Sequence, residues 1–105
     1  MNLKMPKFYI RWQMNPSLIP LNPEERVKLW LSMLDMVKDS LKAGVLKDWG
    51  ICSDASAGYG FSELSETDLY TNLLKWMPYV QFDIKPVLTV DQTIESIKKA
   101  AAKAK

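Results

Sequence analysis

The sequence predicts an α+β domain, an antiparallel β-sheet with helices packed on one face and a further helix at the C-terminus. Three observations carry this. Residues 7–14 alternate apolar and polar side chains with the period of a strand. Two stretches, after Asn22 and after Ser65, repeat apolar residues at helical spacing behind capping residues. The elements then follow in the order strand, helix, strand, strand, helix, strand.

The bulk composition fits one such domain. The chain has 105 residues, enough for one core and too few for two. Hydrophobic residues make up 48%, which places the chain among folding rather than disordered sequences. A single cysteine, Cys52, excludes an internal disulfide and suits a reducing compartment. No apolar run approaches the ~18 residues of a membrane span, and Met1–Lys7 lacks the apolar centre of a secretion signal. The expectation is a cytoplasmic protein that does not enter a membrane.

The net charge is +2, and all of the excess lies in residues 91–105, where four lysines face Asp91 and Glu95. Residues 1–90 are balanced, with ten basic and ten acidic side chains. A neutral body has no general attraction for nucleic acid. The chain has no histidine. This removes Ser–His and Cys–His nucleophiles and the imidazole ligands of zinc and haem. No metal or cofactor is expected.

Taken in order, Lys7–Met14 places Phe8, Ile10, Trp12 and Met14 on one face and Tyr9, Arg11 and Gln13 on the other. Residues 15–22 contain two prolines and form a loop whose Leu18, Ile19 and Leu21 are expected to pack against the body or, as the functional alternative, to act as a lid. Asn22-Pro23-Glu24-Glu25 opens a helix with a cap, a proline at the first position and early acidic residues. Gly44 ends it just after Ala43. Val27, Trp30, Leu31, Leu34, Val37 and Leu41 are its expected core stripe, with Leu29, Met33 and Met36 on a second flank. That apolar arc is wider than one sheet face needs, so the flank should meet the C-terminal helix or another subunit.

Residues 45–53 read as the second strand, and the small-residue turn at 54–58 leads into its hairpin partner. There Tyr59, Phe61 and Glu63 share a face, and Gly58 and Gly60 leave room for a close neighbour. Ser65 caps a second helix whose stripe is Leu69, Leu73, Trp76 and Met77, and Pro78 stops it. The last strand is Val80–Val87, with Pro86 marking where it must become an edge or leave the sheet. Residues 91–105 form a terminal helix anchored by Ile94 and Ile97, ending in a solvated lysine tail separate from the domain of residues 1–90.

This βαββαβ order is the split βαβ, or ferredoxin-like, plan. From Gly58 to Leu88 the chain resembles the muconolactone-isomerase-like branch of the dimeric α/β-barrel (ferredoxin-like) superfamily. It is closer still to small uncharacterised bacterial and archaeal proteins of that superfamily. The resemblance rests on Gly60-Phe61-Ser62-Glu63, on Trp76-Met77-Pro78 and on residues 82–88, with support from Lys47-Asp48-Trp49-Gly50, and it spans about half the chain. It implies a homodimer whose two sheets close a barrel around a central cavity. The histidine chemistry of the haem-degrading members has no counterpart here.

The expected ligand is therefore a small, partly apolar, anionic molecule in that barrel. Tyr9, Gln13, Trp49 and Tyr59 would line the site, Arg11 would pair with the anionic group, and Glu63 would serve as acid or base. A structural alternative has the same residues packing the dimer, with Arg11 paired to Glu63 or Asp83. The competing reading is an RNA-recognition module. Residues 57–64 resemble its motif on the third strand, and residues 8–13 resemble the companion motif on the first, so that Tyr9, Tyr59 and Phe61 would stack bases. Ala57 and Ser62 depart from that motif, the first helix is long for the module, and the body is neutral, so nucleic acid is the weaker expectation.

Overall fold

A computed structural model describes residues 7–103. The strands are β1 (Lys7–Met14), β2 (Asp48–Ile51), β3 (Gly58–Ser62) and β4 (Val80–Val87). The helices are α1 (Pro23–Lys42), α2 (Glu66–Leu73) and α3 (Val90–Lys103). All strand pairs are antiparallel and the sheet order is β2-β3-β1-β4, the ferredoxin-like arrangement. Pro86 lies on β4, an edge strand, where its missing N–H removes no ladder bond to a further neighbour.

The alternation of β1 sets the two faces. Phe8, Ile10 and Trp12 are buried on the inner, helix-covered face. Phe8 and Ile10 pack with Leu69 and Leu73 of α2, with Leu46, Leu64, Trp76 and Phe82 around them. Ser62 is fully buried at the end of β3. Its Oγ donates to the Val45 carbonyl at 2.8 Å and accepts from the Leu64 N–H, which ties the loop after α1 to the sheet.

Both helix starts follow the sequence. The Asn22 side chain accepts from the N–H groups of Glu24 and Glu25, and Ser65 Oγ accepts from Asp68 N–H. Gly44, at φ +78°, follows the end of α1 in the left-handed region. Helix α2 ends earlier than Pro78 requires: it tightens into a 3-10 turn at Leu74–Trp76. This turns Met77 outward, so only Leu69, Leu73 and Trp76 of its expected stripe face the core. The second strand is also shorter than the apolar run. The N–H groups of Val45 and Leu46 both donate to the Ser40 carbonyl, which holds the run against the end of α1 until Asp48.

The largest difference concerns α1. Its more buried residues are Leu29, Met33 and Met36 of the second flank, together with Val37 of the expected stripe and Ser40. Of the expected core stripe only Val37 is buried; Trp30 and Leu34 face the open space between α1 and the sheet, and Val27, Leu31 and Leu41 are exposed. With an apolar arc this wide, hydropathy alone allows the helix to settle on either flank. The arc turned toward the sheet lies between the two, with Trp30, Met33, Leu34, Val37 and Ser40 on it.

Candidate functional site

Helix α1 stands away from the sheet and leaves a cavity of about 290 Å³ between α1, α2 and the inner sheet face. Its walls are nearly all apolar. Ile10, Leu46 and Phe82 form the floor, Leu34 and Val37 come from α1, and Leu69 and Leu73 from α2. All four tryptophans of the chain, Trp12, Trp30, Trp49 and Trp76, line it. They arrive from four different elements: β1, α1, β2 and the turn after α2.

Trp12 and Trp49 are stacked, with ring centroids 5.4 Å apart and planes 14° apart. Gly58 makes room for this pair, since a Cβ there would meet the Trp12 ring at 2.2 Å. The Trp12 indole N–H is buried and has no acceptor among the described residues. The polar side chains at the wall are Ser40, Asn72 and Lys75. Lys75 is the basic residue among them; it is exposed, and its Nζ lies 5.8 Å from the Trp76 ring centre. No carboxylate lines the cavity among the described residues.

Most of the sequence-predicted site residues lie on the opposite face. Tyr9, Arg11 and Gln13 project from the outer side of β1, and Tyr59 from β3 beside it. Tyr9, Phe61 and Tyr59 form a ring cluster there, with centroids 5.6 Å and 6.1 Å apart. Lys7 Nζ lies 5.2 Å from the Phe61 ring centre, and Gln13 donates to Gln81 across the strands. Gly50 leaves space for the Tyr59 ring, which a Cβ would meet at 2.3 Å. Glu63 lies 3.9 Å from Lys47, and Asp83 lies 3.8 Å from Lys85. No carboxylate among the described residues lies in ion-pairing distance of Arg11.

Comparison with known proteins adds no identity. No protein-family model matches the chain, and no curated protein matches it.

The sheet therefore separates Trp49 from Tyr9, Arg11, Gln13 and Tyr59. Of the six predicted residues, it alone enters the cavity. Sequence reasoning missed Trp12, Trp30, Trp76 and Lys75 as site residues, because each sits at a position whose spacing equally describes core. The number of tryptophans, four in a chain of 105 residues, was the available signal. Among the described residues no group of acidic or cysteine side chains is arranged to hold a metal. No described helix is long and apolar enough to cross a membrane.

Proposed function

We propose that the chain binds a small, flat, largely apolar molecule with an anionic end, held between α1, α2 and the inner sheet face. The convergence of all four tryptophans on one cavity carries this reading. Stacked aromatic walls suit a flat apolar body, and one cation at the wall suits a single negative group. The volume lies at the small end of the range of ligand pockets, roughly 300 Å³. The features that support the reading, apolar walls and one basic residue, are those of a binding site.

The test uses the tryptophans as reporters. Titration with 2-naphthoate should quench their fluorescence saturably at one site per chain. Lys75→Ala should weaken naphthoate more than the neutral 2-methylnaphthalene, and Trp49→Ala should weaken both. Equal binding by Trp49→Ala and the parent chain would remove the site from this cavity.

The outer face has its own reading. Three rings on the central strands lie among charges of both signs, Arg11, Asp83 and Lys85. Mixed charge suits a second copy laid face to face better than a polyanion, and such pairing would close the barrel implied by the resemblance. Tyr59→Glu should then lower the sedimentation coefficient of an otherwise dimeric chain. Salt-sensitive binding of single-stranded RNA, lost in Tyr59→Ala, would assign the face to nucleic acid instead.

A further inference from the structure

Helix α3 buries none of its residues, although Val90, Ile94 and Ile97 form an apolar stripe that Ala101 continues. Val90 is 75% exposed, Ile94 47% and Ile97 63%. The molecule measures 64 × 25 × 21 Å, and its radius of gyration is 17.5 Å. A compact chain of this length would have about 13 Å. The helix projects from the end of edge strand β4, with its stripe uncovered by the described residues.

We propose that the occupant of this stripe is α3 of a second copy, packed antiparallel about a two-fold axis between Glu95 and Ser96. The stripe has spacings of four, three and four residues, the pattern of a coiled-coil seam. Antiparallel pairing about that axis sets Val90 against Ala101 of the second copy and Ile94 against its Ile97. Every seam position then meets an apolar one. On one flank of the seam sit Asp91 and Lys98. The same axis brings Asp91 of each copy beside Lys98 of the other, twice. On the other flank Thr93 meets Ala100, small and neutral. The helix is thus complementary to itself in apolar pattern and in charge, as an isologous contact requires.

Other pairings fail one of these conditions. Parallel pairing of two α3 helices sets Lys98 beside Thr93 and leaves Asp91 without an opposite charge. The exposed stripe of α1 is the other candidate, but Lys38 interrupts it between Leu34 and Leu41. The antiparallel register on α1 that matches charges, Asp91 with Lys42 and Lys98 with Asp35, places Ile97 on Lys38. The register that places Ile94 on Leu34 sets Asp91 against Asp35 and Lys98 against Lys28.

Two helices of 14 residues bury less than the ~1,000 Å² of a firm interface, so the contact dissociates on dilution. It does not depend on a ligand in the cavity or on pairing of the outer sheet faces. Because Cys52 is free and exposed, the test starts from Cys52→Ser. Two chains, one carrying Asp91→Cys and one carrying Lys98→Cys, are mixed and mildly oxidised. The mixed dimer keeps one Asp91–Lys98 pair and brings the two thiols together, whereas either homodimer keeps none. The expected result is a mixed disulfide in clear excess over both homodimers, lost when Ile94→Asp and Ile97→Asp are added. Sedimentation equilibrium should show association at least tenfold weaker for Asp91→Lys and restored for Asp91→Lys with Lys98→Asp. A predominance of 91–91 disulfide, or no link above a Lys28→Cys control, would overturn the proposal.

Discussion

Single residues show how closely the sheet is fitted to its rings. A Cβ at Gly58 would meet the Trp12 ring at 2.2 Å and the Gly50 carbonyl oxygen at 2.4 Å, and the backbone oxygen cannot give way. At Gly60 the nearest atoms lie at 3.5 Å, an ordinary contact. Gly58→Ala should therefore cost about 2 kcal/mol or more, and Gly60→Ala, which meets only ordinary contacts, should cost clearly less, both read by urea unfolding. Equal effects at the two glycines would contradict the seating of Trp12. The sequence marks Gly58 and Gly60 alike, because a glycine in a strand signals close approach without naming the neighbour. Asp54 offers a titration test. Its carboxylate accepts from the Ser56 N–H at 3.0 Å and from Ser56 Oγ at 2.7 Å. These bonds hold its pKa below the ordinary aspartate value. The folded state therefore binds that proton less readily than the unfolded chain. Asp54 contributes stability above the unfolded pKa, about 3.9, and the contribution is lost as pH falls through the lower folded value. Carboxyl NMR should place the Asp54 midpoint below that of Asp54 in the urea-unfolded chain.

At the scale of elements, the caps and the first and last strands were legible, and the rotation of α1 only in part. Asn22 caps two N–H groups as its spacing from Glu25 suggests, so Asn22→Ala should cost about 1 kcal/mol in chemical unfolding. Strand β1 has the expected bounds because aromatic and apolar residues alternate over its whole length. Helix α1 lacks such a constraint, since both of its flanks are apolar and local pattern cannot choose between them. What ties the end of α1 to the sheet is a chain of bonds, local ones from the Val45 and Leu46 N–H groups to the Ser40 carbonyl and a long-range one from Ser62 Oγ to the Val45 carbonyl. Mutation should read this orientation directly. Leu31→Gln should change stability by no more than about 0.5 kcal/mol, whereas Leu69→Ala, in the packed centre, should cost about 2–5 kcal/mol. A large loss at Leu31 in a dilute monomer would mean that the helix faces the other way. The candidate site was hidden by the same ambiguity. Alternation correctly gathered Tyr9, Arg11 and Tyr59 on one sheet face, but the cavity depends on how far α1 stands from the other face, which no local pattern encodes.

The whole molecule exposes more surface than its mass requires. A compact protein of 12.0 kDa presents about 6,000 Å², and this chain presents 7887 Å². Part of the excess is the projecting α3, and part is the exposed stripe and open inner side of α1. A chain that leaves this much apolar area wet gives up hydrophobic stabilisation that a ligand or a second copy can restore. Occupation of the cavity would join α1 to the sheet through the ligand, since Trp30 and Leu34 line one wall and Ile10 and Phe82 the other. Binding only to the folded state at about a hundred times the Kd adds about 2.7 kcal/mol. For a domain of this size that raises Tm by roughly 10–20 °C. A naphthoate-type ligand should therefore shift the melting curve in proportion to the logarithm of its concentration, and the shift should vanish in Trp49→Ala. The Ile94→Asp, Ile97→Asp chain should keep it, because α3 lies outside the cavity. A ligand shift that disappears with the α3 variant instead would show that the site forms only between two copies.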